Sequence, residues 1–273
     1  MIAFPNSKIN LGLHITAKRG DGFHDLETLF YPIEFNDILE LIASKEPHFT
    51  ISGIPIPGEQ IDNLCLKAYN LLRRDFPTLP GVDIFLHKHI PTGAGLGGGS
   101  SDGAFTLTLV NDLFDLGLSR QQLIDYAIQL GSDCPFFLVN KPCYASGRGE
   151  LLEPAEIDLS EYTIVLVHGD VPVSTAWAFA QVTPGPVTKP LRSVLEMPVA
   201  AWKTSLVNDF ESAVLSRYPH LVQIKQNLYH AGALYASMTG SGSSFFGIFP
   251  KNHVGSISFD RNFQIDIIKS SKL

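Results

Sequence analysis

The sequence predicts a chain that mixes helices with strands but is not a doubly wound dinucleotide-binding fold, and three observations support this. A β-favouring run, Val82 to Ile90, leads into Pro-Thr-Gly-Ala-Gly-Leu-Gly-Gly-Gly-Ser-Ser-Asp at Pro91 to Asp102, with a helical pattern behind it. That helix is followed by another helix, where a dinucleotide fold needs a strand ending in an acid about 20 residues on. Near the N-terminus, Lys8 to Ile15 alternates polar and apolar residues without a break, the period of a strand with two unlike faces.

In chain order, Ile9, Leu11, Leu13 and Ile15 form the apolar face of that first strand, and Lys8, Asn10, Gly12 and His14 the polar one. Lys8 and Asn10 therefore point the same way from a rigid element, although a lysine in this pattern reads first as an exposed edge residue. Arg19-Gly-Asp-Gly22 is a turn, and Phe23-His24 at its exit is either a core ring beside a surface imidazole or a recognition pair. After the glycine stretch, a helix is expected from Ser100 to Asp115, with Leu107, Val110 and Phe114 on one face. Ser119 and Gln122 fit a capping box for a second helix carrying Leu123, Ala127 and Leu130, which Gly131 stops. Asp133 follows, either as a turn residue bonded to its own backbone or as a fixed carboxylate able to accept a hydroxyl proton.

A Gly- and Glu-rich run at 147–160 precedes the strand Tyr162 to Val167, which places a domain boundary near residue 155. Thr183 to Pro190 reads as a loop. A second glycine-rich loop, Met238 to Ser244, sits between a helical stretch and the strand Phe245 to Phe249.

At 273 residues the chain has length for one large domain or two moderate ones. Hydrophobic residues at 45% and charged residues at 17% describe a packed globular protein. A net charge of −7 excludes the basic footprint of a nonspecific nucleic-acid binder. Three cysteines, Cys65, Cys134 and Cys143, cannot form a fully paired framework, their spacing suggests no zinc site, and they suit a reducing compartment. The first residues lack a signal-peptide pattern, and no stretch reaches the roughly 20 apolar residues of a membrane span, so a cytoplasmic protein is expected. His87 and His89 alternate on a strand without a third ligand at matching spacing, so they do not predict a metal site.

Five glycines in the seven positions from Gly93 to Gly99 let backbone N–H groups turn toward an anion. The helix that follows offers its unpaired N–H groups and positive dipole end to the same anion. Bound phosphate is the reading. It is not a Walker A loop, because no lysine follows the glycines. The Gly-x-Gly-x-x-Gly string from Gly93 to Gly98 would suggest a nicotinamide enzyme only in the strand order that is lacking here.

Taken together, the segments resemble the GHMP small-molecule kinase superfamily along nearly the whole chain. The match runs through Lys8-Ile-Asn-Leu, Arg19 to Leu26 with Glu27 to Phe30, Asp62-Asn63-Leu64, Pro91 to Asp102, Leu130 to Phe136, Val173 to Phe179, Asn208 to Glu211 and Met238 to Gly242. The Asp-Gly-aromatic-His segment and the extended Gly-Gly-Gly-Ser-Ser-Asp loop are similar to the branch that phosphorylates the 2-hydroxyl of a methylerythritol carrying a cytidine diphosphate, in the non-mevalonate route to isoprenoid precursors.

The resemblance implies an α+β chain of two domains: a ribosomal-protein-S5-like ATP domain at 1–155 and a ferredoxin-like domain at 156–273, with the active site between them. It implies ATP and Mg²⁺ as cofactors, a cytidine-diphosphate-bearing small molecule as substrate, no nucleic-acid or membrane partner, and a monomer or weak homodimer. Asp133 matches the catalytic aspartate and Lys8 its partner lysine. Pro91, Thr92, Gly93, Ala94, Gly95, Leu96, Gly97, Gly98, Gly99, Ser100 and Ser101 match the ATP-phosphate loop, and Asn63 a residue near the adenine. His24 matches the residue bonding the cytosine edge, with Phe23 and Phe179 stacking on that base, while Asn10 and Thr175 line the substrate side. Gly240, Ser241 and Gly242 form the second loop. Asn6-Ser7 before the lysine, Phe23 in place of tyrosine and Gly103 in place of alanine depart from the usual pattern without removing a group the chemistry requires. The rival readings are a GHMP kinase for mevalonate, homoserine or a sugar, and a non-catalytic binding protein on the same fold.

Overall fold

The computed structural model describes residues 1–187, 189–259 and 263–269. Thr188 of the expected 183–190 loop, and 260–262 and 270–273 of the expected second domain, lie outside the described residues. The strands are β1 (Ile2–Ala3), β2 (Asn6–Lys18), β3 (His24–Asn36), β4 (Ile38–Ser44), β5 (His48–Gly53), β6 (Gly81–Lys88), β7 (Cys143–Ser146), β8 (Leu151–Pro154), β9 (Tyr162–Val167), β10 (Tyr235–Met238), β11 (Phe245–Pro250) and β12 (Ile265–Lys269). The α-helices are α1 (Leu64–Asp75), α2 (Gly98–Leu113), α3 (Arg120–Leu130), α4 (Cys134–Val139), α5 (Thr175–Gln181), α6 (Leu191–Leu195), α7 (Glu211–Arg217) and α8 (Val222–His230).

The chain forms two compact units. One takes residues 1–7, 35–92 and 97–140. Its sheet runs β1-β4-β6-β5, antiparallel except for the parallel pair of β5 and β6. Leu39 lies opposite Leu86 and Leu41 opposite Ile84, and all four are buried on the face that α2 covers. Helix α1 packs on α2 and buries Cys65, Ala68, Tyr69 and Leu72, a stripe with the period of an amphipathic helix. Helix α3 starts at the expected capping box, with Ser119 accepting from the Gln122 N–H and the Gln122 side chain accepting from the Ser119 N–H at 2.9 Å.

The other unit takes residues 8–34, 93–96 and 141–273. One of its sheets is antiparallel, in the order β10-β11-β9-β12, with α8 packed on β10 and β11. Central strand β9 buries Ile164, Val165, Leu166 and Val167 in succession, as expected of a strand covered on both faces. Val165 and Val167 share a core with Leu13, Ile15, Phe210, Ile224 and Leu228. A second sheet, β2-β3-β7-β8, carries the N-terminal strands.

These units differ from the linear division into 1–155 and 156–273. Because β3 pairs with β7, the N-terminal strands cluster with residues 141–273, and residues 93–96 of the glycine stretch join them. Among the described residues no helix is long and apolar enough to cross a membrane. All three cysteines are buried.

Candidate active site

The first glycine stretch is held by its main chain. Lys8 N–H donates to the Leu96 carbonyl at 3.0 Å, and Ser244 N–H donates to the Ala94 carbonyl at 3.3 Å. Thr239 Oγ1 donates to the Gly95 carbonyl at 3.2 Å. Residues 93–96 are thus tied both to β2 and to the second glycine loop. The two loops touch with no side chain interposed: a Cβ on Gly95 would lie 2.0 Å from the Thr239 oxygen, and one on Gly240 would lie 2.8 Å from the Gly95 oxygen. Both glycines have positive φ, +78° and +53°, a backbone region that L side chains rarely adopt. Ser241, the next residue of the second loop, is within 3.1 Å of the Thr175 hydroxyl.

Lys8 and Asn10 meet as their spacing predicts, but neither is exposed, with 3% and 1% of their surfaces accessible. The expectation of an exposed edge lysine is corrected. The polar face of β2 is covered by the second glycine loop and, at Gly12, by Leu191 and Leu206. Asn10 Oδ1 accepts from Lys8 Nζ at 2.6 Å and from Gly240 N–H at 2.9 Å. Asn10 Nδ2 donates to Thr28 Oγ1 at 3.0 Å, and Asn10 N–H donates to Thr239 Oγ1 at 3.1 Å. The Lys8 ammonium lies 5.1 Å from the centre of the Phe30 ring. Asn10 is therefore a bracket joining Lys8 to the second loop.

Helix α2 begins at Gly98, two residues before the earliest expected start, because Gly97 adopts the left-handed conformation at the N-cap position. Ser101 N–H makes the first intrahelical bond, to the Gly97 carbonyl. The preceding N–H groups at Gly98, Gly99 and Ser100 are the ones a helix start leaves for an anion. Ser100 also hydrogen-bonds Cys134, whose thiol is pushed up to about 12 by burial, with Asp133 adding to the rise. That contact sets Asp133, the residue before Cys134, near the start of α2. Asp133 is half-buried and stands at the N-cap position of α4. Asn63, which the resemblance links to adenine, caps α1 by accepting from the Cys65 N–H at 2.9 Å.

The aromatic residues gather on the hairpin end of β3. The His24 and Phe179 rings stack at 4.9 Å and 18°, and Phe179 meets Phe210 edge-on at 4.9 Å. Phe23 is 52% exposed, with the Arg148 guanidinium over its ring at 4.8 Å. Arg148 is not among the residues the sequence singles out. Its signal was the Gly147-Arg148-Gly149 turn, tied to β3 by the bond from Leu26 N–H to the Gly147 carbonyl.

The pattern of the GHMP kinase N-terminal domain matches residues 63–141, and that of the C-terminal domain matches 199–259. The chain is 49% identical over 268 residues to 4-diphosphocytidyl-2-C-methyl-D-erythritol kinase of Bacteroides fragilis, covering 96% of this chain and 97% of that one. It belongs to the 4-diphosphocytidyl-2-C-methyl-D-erythritol kinase family of GHMP kinases. A crystal structure of 4-(cytidine 5'-diphospho)-2C-methyl-D-erythritol kinase superposes with a TM-score of 0.78 at 32% identity, over 91% of this chain and 90% of the other. A homoserine kinase from Cytophaga hutchinsonii superposes with a TM-score of 0.71 at 16% identity, over 96% of this chain and 93% of the other, a likeness of fold alone.

GHMP kinases use ATP, and the glycine stretch is suited to its phosphates. Among the described residues no three His, Cys, Asp or Glu side chains converge to hold a metal.

Proposed function

We propose that this chain is an ATP-dependent kinase that phosphorylates the 2-hydroxyl of 4-diphosphocytidyl-2-C-methyl-D-erythritol. The observation that carries the reading is 49% identity over 96% of the chain to an enzyme of that name. The interlocked glycine loops supply the physical counterpart.

Phosphoryl transfer passes through a loose transition state, so it needs positioning and charge stabilisation more than covalent help. The N–H groups at the start of α2 and the backbone of residues 91–97 would hold the β- and γ-phosphates. The dipole of a 16-residue helix adds to the attraction. Mg²⁺, if it enters with the nucleotide, would neutralise phosphate charge. Asp133 would orient the acceptor hydroxyl and take its proton, a contribution worth about 10²–10⁴ in rate. Lys8, held by Asn10 and packed on Phe30, would stabilise charge developing on the transferred group. At the other end of the substrate, a pyrimidine would lie between Phe23 and Phe179 beside His24, once the His24 ring leaves its stack on Phe179 and Arg148 its place over Phe23; a mevalonate or homoserine acceptor carries no base for such a site.

The test is ADP release from purified protein with ATP and three alcohols: the cytidylylated substrate, the uncytidylylated methylerythritol and mevalonate. Release confined to the first supports the reading. Equal turnover of all three overturns the substrate assignment, and release with none overturns the kinase itself.

A further inference from the structure

At the close of β6, directly before the phosphate loop, stands Lys88. A lysine flanking a phosphate loop invites the role of phosphate ligand, yet its side chain is only 2% exposed. Its ammonium is held by two equally buried carboxylates, Asp37 through a short bond and Asp102 at 2.8 Å. Asp37 also accepts, on its other oxygen, the N–H groups of His89 at 2.6 Å and Ile90 at 2.9 Å. These are the last residues before Pro91. Asp102 lies in the first turns of α2, directly after the loop, and a Cβ on Gly98 would come within 3.3 Å of Lys88 Nζ. One cation thus joins the strand that enters the loop to the helix that leaves it. Both its carboxylate partners are spent on the same task.

We propose that Asp37, Lys88 and Asp102 form a buried latch that sets the two ends of the phosphate loop, making Lys88 a positioning residue for ATP and not a ligand of its phosphates. The inference rests on the ATP-loop reading above. A charge buried this deeply cannot turn to a nucleotide without stranding two carboxylates in an apolar interior, which is strongly unfavourable. Its effect must pass through the loop backbone, where a displacement of about 1 Å can cost 10²-fold in rate. Asp102 Oδ1 is buried without a hydrogen-bond partner among the described residues. That oxygen is free to carry the proton that would neutralise the trio. Burial accounts for most of the upward push on the Asp102 carboxyl, to about 7, opposed by Lys88 and aided by Asp37. The remaining titratable group facing it is the Cys65 thiol of α1.

The experiment is a double-mutant cycle on Lys88→Met and Asp37→Asn, reading ATP and adenosine affinity by calorimetry and KM for both substrates, with Asp102→Asn as a third variant. The latch predicts that each single variant weakens ATP roughly 10-fold to 100-fold. Adenosine affinity and the KM of the alcohol should stay within about twofold, and the double variant should be no worse than the singles, as for groups acting as one unit. If Lys88 instead touched phosphate, Asp37→Asn would leave ATP affinity unchanged or raise it, and the latch would be overturned. Should Lys88→Met not fold, Asp37→Asn and Asp102→Asn decide alone: weakened ATP with intact adenosine affinity supports the latch, and unchanged ATP affinity refutes it. Wild-type protein that binds no ATP overturns the kinase reading and the latch with it. Wild-type protein that binds, beside variants that bind equally, overturns the latch alone.

Discussion

Gly95 and Gly240 approach each other backbone to backbone, so closely that a methyl group on Gly95 would overlap the Thr239 carbonyl oxygen at 2.0 Å. The two glycine-rich loops are separated by over a hundred residues of sequence, but they form one surface.

Gly95→Ala should therefore be costly in two ways. The residue has φ +78°, where a side chain costs about 1–2 kcal/mol, and the overlap is with a backbone atom that cannot swing aside, adding about 1–3 kcal/mol. We expect a fall in melting temperature of several degrees and a rise in the KM for ATP. Gly99→Ala, whose Cβ would meet nothing within 4 Å, should melt as wild type. Calorimetric scans of both variants check this.

Asn10→Ala removes the acceptor of Lys8 Nζ and of the Gly240 N–H, both buried. A buried donor left unpaired costs about 1–3 kcal/mol, and a loosened Lys8 should lower kcat by roughly 10-fold to 100-fold. Steady-state kinetics at saturating ATP provide the readout. A wild-type kcat would show that Lys8 does not need its bracket.

Phe179→Ala should raise the KM of the cytidylylated substrate more than it lowers kcat, because stacking holds ground state and transition state alike. Base–aromatic stacking is worth about 1–3 kcal/mol, which corresponds to roughly 5-fold to 150-fold in KM. A change confined to kcat would remove the ring from the binding site.

The Asp102 carboxyl sits at about 7 in the folded chain, against about 3.9 for an unperturbed aspartate. Between those values the native state holds one proton more than the unfolded state, so stability falls as pH rises through about 7. For Lys88, burial pulls its pKa down, but Asp102 and Asp37 outweigh it and raise the value. Its contribution is therefore lost only at still higher, alkaline pH. Asp102→Asn should abolish the decline near neutrality. Thermal melts from pH 5 to 9 on wild type and variant make the comparison, and parallel curves would contradict it.

What the sequence revealed was local or chemically distinctive. The Ser119–Gln122 capping box, the turn at Arg19 to Gly22 and the glycine stretch were legible because each is written in adjacent residues. The sequence places the start of α2 two residues late, since a glycine in the left-handed conformation at Gly97 can cap a helix without a side chain. Lys8 looks exposed in the sequence because its cover, Thr239 and Gly240, lies about 230 residues away. Asn63 carries a helix-cap signature, a polar residue before an apolar run, and caps α1. The Asp37–Lys88–Asp102 trio had no local signal, its members being 51 and 14 residues apart.

Asp133→Asn tests the central claim most directly, by measuring single-turnover phosphoryl transfer beside ATP affinity. The account predicts that the variant binds ATP as wild type does but transfers phosphate at least about 10²-fold more slowly. Near-normal transfer would show that another group readies the hydroxyl, and the mechanism built on this aspartate would fall.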